Sequence, residues 1–210
     1  MSLTEKTCSD FLTVLASETP VPGGGGAAAL GGALGMALSN MVGNLTVGKK
    51  KYADHRDEIQ GLLEKGTAIM KELKKLVDQD GDVFLSLLQA FALPKSTAAE
   101  TGLRETAIEE RAKAAAVVPI EIMRFTLEGM KIQYRMAQIG TVTAASDNGC
   151  GAAFLQAAII SGEFNVMANL RIIKDKEFIS KATAEINSLR EEGLKIADET
   201  LKLSMAKLKR

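Results

Sequence analysis

The chain has 210 residues, 46% hydrophobic but only 4% aromatic, so its core must be built from Ala, Leu, Ile, Val and Met; that composition favours helix over sheet. Lys plus Arg equals Asp plus Glu at 26 each, which gives no charge-based argument for a nucleic-acid or membrane-surface partner. A single histidine, His55, excludes His-based zinc sites and Ser-His triads, and the two distant cysteines, Cys8 and Cys150, match no metal spacing.

Ser9 to Ser17 reads as a short first helix with Phe11, Leu12, Val14 and Leu15 on its apolar side. Next comes Thr19-Pro20-Val21-Pro22-Gly23-Gly24-Gly25-Gly26, a run expected as a non-helical loop that leaves free backbone N–H groups at the start of the next helix. Ala27 to Leu45 follows as a buried helix. Thr19 to Gly48 holds no charged residue, but Ser39, Asn40, Asn44 and Thr46 make a lipid-facing helix a poor reading. Close packing through Gly31, Gly32, Ala33 and Gly35 is the expectation, and no membrane partner is expected.

Lys49-Lys50-Lys51-Tyr52 then forms a dense cationic cluster, either a solvated junction or a binding site for a polyanionic tail. Tyr52 to Phe91 reads as one long helix, with Phe84 and Leu87 on its buried side. Leu76, Asp80 and Phe84 are an i, i+4, i+8 set, which turns Asp80 inward. An interior carboxylate has a raised pKa suited to general acid/base work, although it also suits a structural hydrogen-bond network.

Leu93-Pro94-Lys95 ends that helix and Ser96 is the expected cap of the next, Glu100 to Ile139, which Pro119 should kink or divide. Gly140 to Gly151 reads as a polar glycine-rich turn, with Ser146 or Asp147 either capping the following helix or touching a ligand. Ala152 to Ile173 is that helix. Within it Asn165 and Asn169, spaced i, i+4, point the same way and need polar partners, in the bundle or on a heterocycle. Asp175 caps the last helix, where Ile179, Ala182, Ile186, Leu189, Gly193 and Ile196 form a coiled-coil-like seam. The expectation is a single all-α bundle over residues 1–210. Its long helices would span roughly 50 Å and expose enough apolar surface to suggest a homodimer.

Several segments, taken in order, resemble the cyclodeaminase/cyclohydrolase family of folate enzymes. They are F-x3-L-A…T-P-x-P-G-G-G at Phe11 to Gly25, V-G-x-L-T-x-G-K-K-K-Y at Val42 to Tyr52, V-D-x-D-x-x-x-F at Val77 to Phe84, L-P-K at Leu93 to Lys95 and F-N-V-x-x-N-L at Phe164 to Leu170. Gly26 departs from the pattern, which often has serine there. The resemblance implies an all-helical dimer that binds a reduced folate near the subunit interface. It also implies closure of 5-formiminotetrahydrofolate to 5,10-methenyltetrahydrofolate with loss of ammonia. The alternatives are the adjacent cyclohydrolase reaction and folate binding without catalysis. Asp80 is then the acid/base. Pro22, Gly23, Gly24, Gly25, Lys49, Lys50, Tyr52, Ser146, Asp147, Asn165 and Asn169 are the expected substrate contacts, the lysines taking a polyglutamate tail. No metal or further cofactor is expected, and the setting is a reducing cytoplasm, with the thiols free.

Overall fold

The computed structural model describes residues 2–209, and among them the regular structure is entirely helical. Six α-helices follow one another: α1 Cys8–Leu15, α2 Gly24–Val47, α3 Arg56–Phe91, α4 Ala98–Ile139, α5 Ala145–Leu170 and α6 Lys176–Leu208. A 3-10 turn over Lys50–His55 joins α2 to α3, so the long helix expected from Tyr52 starts at Arg56. Helix α2 packs against α3, α4 and α5; α4 also meets α3, α5 and α6, and α5 lies on α6.

The neighbours of α2 come so close because its glycines leave them room. A Cβ on Gly35 would lie 2.7 Å from Leu155 Cγ and 2.9 Å from the Gly151 carbonyl. One on Gly43 would lie 2.8 Å from Leu63 Cδ2, and one on Gly32 3.3 Å from Leu73 Cδ1. Across these crossings Met36 is fully buried and lies where a side chain on Gly129 would be. The polar groups of α2 are partly satisfied: Thr46 Oγ1 donates to the Val42 carbonyl and accepts from Thr141 N, and Asn40 Nδ2 donates to Thr67 Oγ1, while the buried Ser39 Oγ and Asn40 Oδ1 have no hydrogen-bond partner among the described residues. Both α2 and Val142–Leu170 are long and apolar enough to cross a membrane, with 61% and 39% of their apolar windows buried inside the protein. Both helices keep some large apolar side chains exposed, Leu34, Met41 and Leu45 on α2 and Phe154, Phe164 and Met167 on α5.

Several boundaries differ from the sequence expectation, each for a local reason. Thr97, not Ser96, caps α4: Thr97 Oγ1 accepts from Glu100 N, while the Glu100 carboxylate accepts from the N–H groups of both Thr97 and Ser96. Pro119 does not divide α4, which runs unbroken to Ile139. α5 begins at Ala145, with Ala144 at the cap position and no side-chain cap, so neither Ser146 nor Asp147 caps it. Its early glycines are contact residues rather than helix breakers: a Cβ on Gly151 would lie 2.8 Å from Gln133 Nε2, and one on Gly149 3.5 Å from Ser204 Cβ. Beside them Gln133, Asn148 and Ser204 form a buried chain of hydrogen bonds across α4, α5 and α6. Asp175 caps α6 as expected, by accepting from Glu177 N and Phe178 N. In the seam of α6, Ala182, Ile186 and Gly193 are buried, while Ile179, Leu189 and Ile196 are half-buried against the core.

Glycines on α2 and α3 should therefore respond oppositely to alanine. Gly61 faces open space, so Gly61→Ala gains helix propensity and should stabilise by about 0.5–1 kcal/mol. Gly35→Ala gains the same propensity but overpacks Leu155, and should destabilise by about 1–3 kcal/mol. Thermal unfolding checks both, at about 2–4 °C per kcal/mol for a chain of this size.

Candidate functional site

The candidate site is built where the N-terminus of α2 meets the middle of α3. Gly23, with extended backbone, is the N-cap and offers no side-chain cap; Gly24, Gly25 and Gly26 form the first turn of the helix rather than the end of a loop. The missing cap is supplied by Asp80 on α3, whose Oδ2 accepts from Gly26 N at 2.8 Å. A Cβ on Gly25 would sit 2.0 Å from Asp80 Oδ1, so the carboxylate lies directly on the bare Cα of Gly25. A turn of small residues is thus what allows a carboxylate from another helix to seat on a helix terminus.

Asp80 is held between opposing influences. Burial pushes its carboxyl above the ordinary 3.8, and the Gly26 hydrogen bond pulls it back part of the way, leaving the pKa raised. The neighbouring aspartates serve elsewhere: Asp78 accepts from Ser2 Oγ and Leu3 N, and Asp82 is exposed. A cavity of about 180 Å³ opens in front of Asp80, walled by Pro20, Val21, Gly23, Gly24, Val83, Phe84 and, across from α3, Ala115, Asn165, Ala168 and Asn169. Phe84, expected on the buried side, is 38% exposed because it stands at the rim of this cavity. Among the described lining residues Asp80 alone is titratable.

The two asparagines are oriented by the main chain. Asn165 Nδ2 donates to the Ser161 carbonyl at 2.7 Å. Asn169 Nδ2 donates to the carbonyls of Asn165 and Ala115 at 3.1 and 2.9 Å. The Ala115 carbonyl is available because the residue four positions on is Pro119, which has no N–H to complete the helical bond. Pro119, read from sequence only as a helix breaker, thereby provides an anchor for a site residue. With both amide nitrogens engaged, and no donor on either Oδ1 among the described residues, two oxygen acceptors remain at the cavity wall. The asparagine amide also lies against Gly24, 3.3 Å from where a Cβ would be.

The sequence-predicted residues therefore divide. Gly23, Gly24, Asp80, Asn165 and Asn169 line one cavity, and Gly25 lies beneath the carboxylate; Pro22 is buried behind the turn and does not line the cavity. Lys49, Lys50, Tyr52, Ser146 and Asp147 stand at the opposite end of α2, whose 24 residues measure about 36 Å. There Lys49 Nζ donates to Thr141 Oγ1 and Thr143 Oγ1, and Tyr52 Oη accepts from Val142 N at 3.4 Å. Burial acts to raise the Tyr52 hydroxyl, but Thr141, Val142 and the charges of Lys51 and Lys207 outweigh it, and the net shift is downward. Lys50 and Ser146 are exposed, with Asp147 half-buried in the first turn of α5. Within one chain the two groups do not meet. Phe84, Ala115 and Ala168 were not foreseen; only the Leu76-Asp80-Phe84 row pointed to the first of them.

Gly25→Ala should force the Asp80 carboxylate off the helix turn. A loss of about 100-fold in turnover is expected, with about 1–3 kcal/mol of destabilisation. Gly23→Ala, with nothing within 4 Å of its Cβ position, should leave the carboxylate in its seat and cost much less of both, and steady-state rates with thermal melts on the pair check this.

Comparison with known proteins assigns the chain to a family. The family model described as Formiminotransferase-cyclodeaminase matches residues 7–188. A methenyltetrahydrofolate cyclohydrolase of Methylorubrum extorquens is 35% identical over 184 residues, covering 88% of each chain. A formimidoyltransferase-cyclodeaminase of Rattus norvegicus is 32% identical over 193 residues, 91% of this chain but 36% of that longer protein. Among solved structures, the formiminotetrahydrofolate cyclodeaminase of Thermotoga maritima superposes with a TM-score of 0.88 at 25% identity, over 97% of this chain and 98% of that one. The chain belongs to the formiminotransferase-cyclodeaminase family.

Proposed function

We propose that the protein converts 5-formiminotetrahydrofolate to 5,10-methenyltetrahydrofolate with release of ammonia. The observation that carries this reading is the single titratable side chain of the cavity, Asp80, buried on a glycine turn with its pKa raised. The chemistry needs one group that takes and then returns a proton. The N10 lone pair bonds to the formimino carbon, and the N10 proton passes to the Asp80 carboxylate. The resulting acid protonates the former imino nitrogen, the carbon–nitrogen bond breaks, and ammonia leaves. The positive charge of the protonated formimino group stays on the methenyl ring, so charge and protons balance. Closure is intramolecular and gains from the fixed orientation of its reacting atoms. The acceptor oxygens of Asn165 and Asn169 suit the N–H donors of the pterin edge.

A second reading is favoured by the Methylorubrum extorquens protein, which matches along nearly all of its length and is named a methenyltetrahydrofolate cyclohydrolase. In that reaction Asp80 takes a proton from water as it adds to the methenyl carbon and returns it to N5 as the bond from that carbon to N5 breaks; the remaining hydroxyl proton leaves to solvent, and the product is 10-formyltetrahydrofolate. Supplying each substrate separately distinguishes them: equal yields of ammonia and methenyl absorbance are expected from the formimino compound. Rapid loss of the methenyl form, with no ammonia from the formimino compound, would select the second reading. Asp80→Asn should lower turnover about 10²–10⁴-fold in either reaction. It should not lower stability at neutral pH. A carboxyl whose folded pKa is raised stabilises fully only below the ordinary 3.8, and loses that contribution as pH rises through the folded value.

The working unit in this reading is a homodimer. Leu34, Leu38, Met41 and Leu45 follow spacings of four, three and four along α2 and are half-buried or exposed, a seam that suits a second copy. Antiparallel pairing centred on its Leu34–Leu45 part brings Lys49 of one copy level with about Leu30 of the other, which unites the two groups of predicted residues across the interface. The lysines then hold the glutamate tail of a polyglutamylated folate by attraction that salt weakens. Mixing Asp80→Asn chains with chains carrying Lys49, Lys50 and Lys51→Ala tests this. A shared site predicts mixed dimers with about half the wild-type rate at low polyglutamate substrate, from one intact site in two. Rates no better than those of the separate variants would place the two groups in different sites.

A further inference from the structure

Phe164 is 70% exposed, although a buried phenyl gains about 1.5–3 kcal/mol and the chain has few aromatic residues to spare. It lies one residue before Asn165, on the side of α5 that faces solvent beside α2. A groove of about 340 Å³ runs there between the two helices, with Ala28 and Ala158 as its floor and Phe164 and Phe154 as its two outer ends. The phenyl rings are ten residues apart on α5, about 15 Å along the axis. Gly24 and Asn165 line both this groove and the Asp80 cavity, so the two adjoin across that touching pair. No lining residue of the groove is charged.

We propose that this groove is the subsite for the p-aminobenzoyl part of the substrate, with Phe164 stacked on its ring. The inference rests on the folate reading above and extends it from the reacting centre to the middle of the molecule. A pterin held at Asp80 must send its benzoyl group out of the cavity, and the groove begins at the shared edge formed by Gly24 and Asn165. The groove suits a neutral planar ring: small side chains let it approach both helix backbones, and a phenyl meets it at the entrance. Beyond it, the direction of α2 leads from Gly24 toward the lysine end, so the uncharged middle of the ligand lies in uncharged surface and its anionic tail points toward cations. The sequence carried this signal in the F-N-V-x-x-N-L segment, whose asparagines had an assigned use and whose phenylalanine had none.

The experiment uses the full chain with Phe164 replaced by Ala, and by Tyr as the conservative variant. Phe164→Ala should raise KM for the folate substrate about tenfold, leave kcat within threefold, and leave the melting temperature unchanged because the ring is exposed. Inhibition by free p-aminobenzoylglutamate should weaken by a similar factor, and Phe164→Tyr should behave as wild type. An unchanged KM together with unchanged inhibition overturns the proposal. So does a change in sedimentation for Phe164→Ala, which would give the groove to a second copy of the chain. If the wild-type protein turns over neither folate, the functional reading fails separately. Calorimetric binding of p-aminobenzoylglutamate to wild type and Phe164→Ala then decides the subsite by itself: tenfold weaker binding to the variant supports it, and equal or absent binding overturns it.

Discussion

The site depends on one contact, the Asp80 carboxylate seated on the first turn of α2. A helix N-terminus leaves backbone N–H groups without partners and carries a partial positive charge. Here no local side chain satisfies them, and a carboxylate from α3 does so at Gly26. The same carboxylate is buried, which costs its charged form free energy, so it is bound where it is stabilised and also kept close to protonation. Acid/base chemistry needs a group poised in this way. A fully exposed aspartate would hold its proton too weakly, and one in a tight salt bridge would hardly take a proton at all.

Such a seat requires that two helices approach more closely than ordinary side chains permit. Gly25 has the carboxylate on its Cα, and further along α2 the same economy of side chains recurs at Gly32, Gly35 and Gly43. The glycines cost helix propensity, about 1 kcal/mol each relative to alanine, and that loss is offset by the packing they admit. Met36 illustrates the result: a flexible side chain fills the space left by Gly66 and Gly129 on two neighbouring helices. The position of Asp80 relative to Asn165 and Asn169 is therefore fixed by helix crossings rather than by loops, which gives the cavity a rigid wall on both sides.

Much of this was legible in the sequence. The helical period placed Asp80 inward, the i, i+4 pair placed Asn165 and Asn169 together, and Asp175 was recognisable as a cap because it precedes a periodic run. Where the reading went astray, the cause was glycine and proline treated as local signals. Gly24, Gly25, Gly26, Gly149 and Gly151 looked like loop residues, yet all are helical, and an atom from another helix lies 2.0 to 3.5 Å from where the Cβ of each would be. Pro119 looked like a break, yet the carbonyl that it frees accepts from Asn169 across the α4–α5 contact. These are facts about pairs of residues 18 or more apart, most of them 50 or more, and no local pattern encodes them. Ser96 was displaced as a cap by its neighbour Thr97 because only Thr97 is three residues before Glu100.

The split of the predicted residues between two ends of α2 has the same origin. A motif read along the chain carries no information about which copy of the chain a residue serves. Gly23 to Gly25 and Lys49 to Tyr52 are separated by a continuous helix, and a rod of about 36 Å cannot fold back on itself to join them. If both groups act on one molecule of substrate, either the substrate spans that distance or another copy supplies the second group. The exposed seam on α2 makes the second solution geometrically simple, because an antiparallel pair of identical rods places each end beside the opposite end of its partner. A substrate with a compact heterocycle, an aromatic middle and an anionic tail would then meet, in order, a carboxylate with paired acceptors, an uncharged groove and a set of lysines.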